Sequence, residues 1–284
     1  MLPALQKDDA LLADIASVSL TDRDLHVWWL GQSGFLVQQA GRRFLFDPYL
    51  SDSLTKKYAA TDKPHVRMTE RCLSPERIPR ALEFVTASHL HTDHLDAETL
   101  VPLAHAHGGI HLFLPPPIMG DAAARLGDAP VELHRMGDHD VFDTPAWQLR
   151  GIAAAHNEIL RDEWGDSYCT GFILKVGGFT LYHSGDTLWH DGLVETLRDH
   201  ACDLMLLPIN GNRPERRVSG NLNGTEAAAL AKACQARLVV PCHYDMFTFN
   251  TETTEEFTTA CQRLGQEYRV LQCGERLSLA ASAR

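Results

Sequence analysis

Residues 86–100, "TASHLHTDHLDAETL", put His89, His91, Asp93 and His94 into six consecutive positions. The residues on either side say what kind of loop this is. Upstream, "LEFVTASH" (82–89) reads as a buried strand, and downstream "LDAETLVPLAHAHG" (95–108) reads as a helix with Asp96 as its N-cap and Gly108 as its stop. The local order is therefore strand, ligand-rich loop, helix. Zinc and manganese are held by imidazole nitrogens and carboxylate oxygens, and this loop supplies both. In an extended loop, residues two apart point the same way. His89 and His91 can then share one ion while Asp93 and His94, in the turn into the helix, face another. The competing reading is a solvated histidine-rich loop in a chain that carries 15 histidines.

Working outward, "LHVWWLG" (25–31), "GFLVQQ" (34–39) and "RRFLFDPYL" (42–50) are short β-rich runs divided by glycine turns, which reads as a meander. The segment before them looks helical. Residues 51–80 are polar and broken by proline, and are taken as a long connection able to reach over a site. Past the opening loop, "GIHLFLPPP" (109–117) is followed by a helix near 118–126 and strands near 147–154, 171–176 and 179–183. After residue 184 the pattern alternates. A helix is expected in 188–200, a strand in 202–210, a helix in 224–236, a strand in 237–245, a helix in 254–265 and a closing strand pair in 268–279. No linker interrupts this order. The expectation is one layered α/β domain over 1–284, with sheets inside, helices outside and an N-terminal helical extension at 1–24.

Three metal-competent residues stand where expected strands end: His156 in "GIAAAHNE", Asp186 in "TLYHSGDT" and His243 in "RLVVPCHYD". Each alone is more often structural than a ligand. Together they complete two sets. His89, His91 and His156 would bind one ion, Asp93, His94 and His243 a second, and Asp186 could bridge them. Two divalent ions about 3.5–4 Å apart can acidify a water between them and present hydroxide to a substrate carbonyl or phosphorus. Asp93 and Asp186 are then the catalytic carboxylates, with Asp93 orienting the nucleophile and passing its proton to the leaving alkoxide. A His/Asp site without cysteine accepts Zn2+ or Mn2+, and also iron or cobalt. Neither "SGFLV" nor "HSGDT" matches the G-x-S-x-G elbow of a serine hydrolase.

The ordered set of Asp47 in "FLFDPYL", His89-x-His91-x-Asp93-His94, His156, Asp186 and His243 resembles the motifs of the metallo-β-lactamase superfamily over residues 28–280. The resemblance implies an αββα sandwich with the metals at one edge between two β-sheets. It also implies that Asp47 supports the ligand loop by hydrogen bonding instead of binding metal. Within the superfamily, "WWLGQSGFLV", "LYHSGDTLWHD" and "VVPCHYDMF" are similar to the L-ascorbate-6-phosphate lactonase branch. That similarity implies a hydrolase that opens a lactone or related ester, of a phosphorylated or acidic sugar.

For substrate contacts, the loop "NGNRPERRVSGNLNG" (210–224) gathers Arg213, Arg216 and Arg217 among asparagines. Arginine's planar fork suits phosphate or carboxylate. Arg213, Asn210, Asn212 and, beside His243, Tyr244 are the candidates. The bland alternative is a solvated loop whose arginines pair with nearby acids. A net charge of −11 argues against nucleic acid, whose binders carry a basic footprint. No apolar run reaches the roughly 18 residues of a membrane span, and the start lacks a signal-peptide pattern, so no membrane partner and a cytoplasmic location are expected. The seven cysteines are scattered without C-x-x-C and read as reduced thiols. The partner expected is a small-molecule substrate, with a homo-oligomer compatible with the branch resembled. The competing functions are a phosphodiesterase on the same site and, from another class, a non-catalytic metal-binding sensor or assembly module.

Overall fold

A strand buried on both faces cannot show polar alternation, and this explains the unbroken apolar run at 25–31. In the computed structural model, which describes residues 1–281, β1 (Leu25–Gly31) is buried at every position. Its Val27 and Trp29 join one core while Trp28 and Leu30 join another on the opposite face. The same split holds in β2 (Gly34–Gln39), with Phe35 and Val37 against Leu36, and in β3 (Arg42–Phe46), with Phe44 and Phe46 against Leu45. These three strands form the expected antiparallel meander. Next come β4 (Leu82–Thr86), β5 (Ile110–Leu114) and β6 (Val131–Arg135), each parallel to its predecessor.

The second sheet is built from β7 (Val141–Asp143), β8 (Trp147–Ala153), β9 (Thr170–Val176), β10 (Phe179–His183), β11 (Leu204–Pro208) and β12 (Leu238–Cys242). The chain then returns as β13 (Arg276–Leu279) to pair with β1. The orders are β13-β1-β2-β3-β4-β5-β6 and β12-β11-β10-β9-β8-β7. Aromatic rings fill the space between the sheets, as where Phe44 meets Trp147 at 5.8 Å and Phe46 meets His183 at 5.3 Å.

Helices close both outer faces. α1 (Asp8–Ser17), α3 (Ala97–His107) and α4 (Met119–Leu126) send Leu11, Ile15, Leu100, Leu103 and Leu126 into the core outside the first sheet. α5 (Leu193–Arg198), α6 (Gly224–Ala233) and α7 (Glu255–Leu264) cover the second with Leu197, Leu230 and Phe257. The layers are therefore α, β, β, α. The short α2 (Ser53–Tyr58) stands apart and packs Leu54 with Tyr49, Met246 and Phe247. Asp96 caps α3 by accepting from the Glu98 N–H, and Gly108 ends it in the left-handed region at φ 72°. Among the described residues no helix is long and apolar enough to cross a membrane.

Three expectations need correction. The closing strand pair is one strand, β13, because Tyr268 makes only an isolated bridge to Val239. The helix expected over 188–200 begins only at Leu193, since Gly192 sits at φ 79° and the His190 ring is held by the Ala153 carbonyl. Strands β6 and β7 were not anticipated. Both lie at sheet edges and neither has a fully buried position: the five-residue β6 alternates in sequence without burying a face, and β7 has only three residues.

The pairings run β8, β10, β11 and β12 in one direction, so their C-terminal ends share one edge of the sandwich. The end of β4 joins them there, where the Thr170 N–H donates to the Ser88 carbonyl at 2.9 Å. Close approach recurs along β8, where a Cβ on Gly151 would stand 1.9 Å from the Gly137 carbonyl oxygen. Gly151→Ala is therefore expected to lower stability by about 1–3 kcal/mol in chemical denaturation. Gly120→Ala, whose added methyl meets open space, is the control and should show no loss.

Candidate metal centre

The loop after β4 bends from Ala87 into α3 and carries four of the proposed donors. His156 follows β8 by three residues, Asp186 follows β10 by three, and His243 immediately follows β12. His243 adopts φ 63°, a strained conformation for a side-chain-bearing residue, and its N–H donates to the Gln32 carbonyl at 3.0 Å. Gly185 is needed beside Asp186. It lies at φ +59°, and a Cβ there would meet the Ser88 Cβ at 2.5 Å.

The structure brings the seven residues together. His89, His91 and His156 offer donor atoms within 4.8 Å of one another, as do Asp93, His94 and His243, and as do His89, His94 and Asp186. The His156 Nε2 stands 3.2 Å from the His91 Nδ1. Asp186 lies between the sets, with Oδ1 3.3 Å from the His94 Nε2 and Oδ2 3.7 Å and 3.5 Å from the Nε2 atoms of His156 and His243. Three of these atoms, the His89 Nε2, the His94 Nε2 and the Asp186 Oδ1, are buried with no hydrogen-bond partner. A buried polar atom left unpaired costs roughly 1–3 kcal/mol, so three converging on one place call for a shared occupant. With imidazoles and a carboxylate as donors, a divalent transition ion fits.

Behind the donors, a second layer of side chains fixes which ring nitrogen points inward. Asp47, fully buried, accepts from the Thr86 hydroxyl at 2.6 Å, from the Ser88 N–H at 3.2 Å and from the His94 Nδ1 at 2.7 Å, which leaves the His94 Nε2 facing Asp186. His156 donates from Nδ1 to the Gly220 carbonyl at 3.0 Å and the Asn221 Oδ1 at 3.1 Å, so its Nε2 turns to the centre. The Gln32 amide donates to the Asp93 Oδ2 at 2.8 Å and lies 2.9 Å from the His243 Nε2.

Electrostatics matches this arrangement. Burial, with the neighbouring His94 charge next, holds His89 well below the ordinary imidazole range. Burial also depresses His91 and His156 against the pull of Asp93 and Asp186 respectively. Burial would raise Asp93 and Asp186, but the His94 and His243 charges override it and hold both carboxyls low. Neutral imidazoles and ionised carboxylates are the protonation states that metal binding requires. His94 is the exception. Burial works against its charge, yet Asp186, Asp93 and the hydrogen bond to Asp47 hold it well above the ordinary range, so an ion entering there displaces a proton.

A cavity of about 460 Å3 opens over these donors, lined on its deep side by His91, Asp93, His156, Asp186 and His243. Its outer wall comes from the long 51–80 connection, through Leu54, Lys57, Tyr58 and His65, and from Arg217 and Asn250. The substrate contacts expected from the sequence fall elsewhere. Asn210, Asn212, Arg213 and Tyr244 do not line the cavity. Tyr244 is buried, stacks on Trp29 at 4.5 Å and donates its hydroxyl to the Leu271 carbonyl. Asn210 is buried behind His156, where its side-chain Oδ1 accepts from the Asn221 amide at 2.9 Å. Asn212 is exposed on the loop, packed over Gly220. Arg213 and Arg216 both pair with Glu252, so much of this loop follows the bland alternative. Arg217 alone of the three arginines reaches the cavity, although it also pairs with Asp62.

Sequence reading missed Gln32, Asn221, Lys57 and His65 as contributors, and it grouped Arg217 with the other loop arginines while preferring Arg213. Gln32 stood in a quoted motif, at the tight turn between β1 and β2. The others sit in loops whose position no local pattern encodes.

Residues 42–244 match the family model described as a β-lactamase superfamily domain. The chain is 27% identical over 264 residues to a UPF0173 metal-dependent hydrolase of Carboxydothermus hydrogenoformans, spanning 90% of this chain and 100% of that one. It is 23% identical over 254 residues to "Probable L-ascorbate-6-phosphate lactonase UlaG" of Escherichia coli, spanning 78% and 70% of the two chains. Among solved structures, the metallo-β-lactamase fold protein YhfI of Bacillus subtilis superposes with a TM-score of 0.65 at 15% identity, over 90% of this chain and 100% of that one. The family match spans well over half of the residues and the layers are those of that fold, so the chain belongs to the β-lactamase superfamily and folds as a metallo-β-lactamase.

Proposed function

We propose that this chain is a metal-dependent hydrolase that opens a lactone or related ester of a phosphorylated or acidic sugar. The observation that carries the reading is the set of seven converging donors, three of their atoms buried and unpaired, at the floor of a cavity whose wall bears Lys57 and Arg217. The names of the Carboxydothermus and Escherichia coli relatives support it. His89, His91 and His156 would hold one divalent ion and Asp93, His94 and His243 a second, shared through Asp186, with Zn2+ or Mn2+ the leading candidates and iron or cobalt compatible. When bound, such ions supply Lewis-acid polarisation of the carbonyl and acidification of water.

The rest falls to the chain's own residues. Gln32 pins the Asp93 Oδ2, so Asp93 is held facing the cavity, where it can take a proton from the attacking water and return it to the leaving alkoxide. The anionic part of the substrate would lie toward Lys57, which has no carboxylate partner among the described residues, and Arg217. His65 faces its Nδ1 to the Lys63 carbonyl at 2.8 Å, which makes Nε2 the ring's free acceptor for a sugar hydroxyl. Tyr58 and Leu54 provide apolar wall.

Metal-loaded protein should open sugar lactones and phosphorylated sugar lactones in a turnover panel, while bis-aryl phosphodiesters stay intact. Efficient phosphodiester cleavage with inert lactones would sink this reading, and no turnover of any ester, lactone or thioester would favour a sensor or assembly role. His89→Ala and Asp186→Ala should reduce turnover to background with expression retained, whereas the exposed His105→Ala should be silent. Asp47→Ala should weaken metal affinity by about 10–100-fold, read by competition with a chelator, because the His94 ring loses the partner that orients it. For Lys57→Ala, kcat/KM toward an anionic lactone is expected to fall about tenfold, or ~1.4 kcal/mol, with a much smaller change for a neutral lactone.

A further inference from the structure

The first sheet carries a second group of metal-competent side chains, none of which lines the cavity just described. His111 lies near the start of β5, and Glu132 and His134 lie on β6. The parallel register sets His111 against Glu132 and Phe113 against His134. Residues two apart on a strand share a face, so all three side chains stand on the side that Phe113 turns toward the second sheet. His111 and Glu132 each stand second in their strand and His134 two residues further along β6, whereas the candidate metal centre in this sheet lies in the loop past the end of β4.

The geometry is tight. The His111 Nδ1 and His134 Nε2 are 2.9 Å apart, and the Glu132 carboxylate spans both, with Oε2 3.2 Å from the first and Oε1 3.5 Å from the second. All three donors fall within 4.8 Å of one another. Donors of a tetrahedral zinc site with bonds of about 2.0–2.1 Å stand about 3.3 Å apart, so these spacings bracket that value.

Two further observations favour an ion over a hydrogen-bonded trio. Glu132 has no lysine or arginine partner among the described residues, and its only ion-pair neighbours are these two imidazoles. The His134 ring is stacked on Phe113, with centroids 4.7 Å apart and planes 15° apart, and this holds its Nε2 toward the other donors. A side crevice of about 290 Å3, lined by His111, His134, Phe113, Phe142 and Trp147, adjoins the trio and leaves room for a water as fourth ligand.

We infer that His111, Glu132 and His134 form a second, independent site for one divalent transition ion of the zinc class, joining β5 to β6. Strand β6 is the edge of its sheet, and among the described residues β5 is its one strand partner. An ion bridging the two strands fastens that edge and, binding the folded chain alone, stabilises it by mass action.

The test is a Zn2+ titration by calorimetry of the full-length, metal-stripped protein beside His111→Ala and Glu132→Gln. His111 and Glu132 are largely exposed, and matching melting curves of the three metal-free proteins establish that the variants fold. Wild type should take up one more equivalent of Zn2+ than either variant, or bind that equivalent at least tenfold more tightly. Saturating Zn2+ should also raise the melting temperature of wild type more than that of the variants. Hydrolytic activity should be the same in all three, which separates this site from the metal centre. Equal stoichiometry and affinity in wild type and both variants would overturn the inference.

Discussion

Everything at the candidate metal centre leans on one buried carboxylate. Asp47 ends the run of β3 with an unusual backbone, at φ 38°, and its side chain ties together the end of β4, Ser88 at the start of the ligand loop and the His94 ring. Burial opposes its charge, but the His94 hydrogen bond and the nearby His183 hold its carboxyl below the ordinary range. A charge in that position is tolerable only while its partners are present. The strand pairing, the loop conformation and the tautomer of His94 are therefore one linked arrangement.

The folded chain also gathers polar atoms that it does not itself satisfy. The unpaired His89 Nε2, His94 Nε2 and Asp186 Oδ1 lie where the strands end, supported by a well-packed aromatic core. Such groups destabilise the metal-free chain, and an ion that satisfies them contributes to folding as well as to chemistry. Stability and activity then share a ligand, since the interactions that prepare the centre are the ones its occupant relieves.

Much of this is legible in the amino-acid sequence. The ligand loop announced itself by composition, the helix after it by Asp96 and Gly108, and His156, Asp186 and His243 by standing where apolar runs end. These signals are local, and strand ends in a layered fold converge by topology. That the 51–80 connection reaches over the site was legible, but which of its side chains line the cavity was not. Lys57 and His65 come from the proline-broken connection, whose path is set by the packing of Leu54 on Tyr49, Met246 and Phe247. In the arginine loop, charge alone could not tell Arg213, drawn off by Glu252, from Arg217, which reaches the cavity. Tyr244 looked available because it adjoins His243, but the turn at that residue sends the ring inward against Trp29.

The donors come from both sheets: four from the loop after β4 in the first, and three from the ends of β8, β10 and β12 in the second. Nothing covalent sets the gap between those two groups. It is set by the aromatic layer, where Phe46 lies against His183 and Phe44 against Trp147, and stacked sheets settle at about 10 Å when such a layer is full. Phe46 and its neighbours thus act as a spacer that gauges the bite of the candidate metal centre from beneath. A change of ring size there would reach the site by altering how far apart the two halves of the donor set are held.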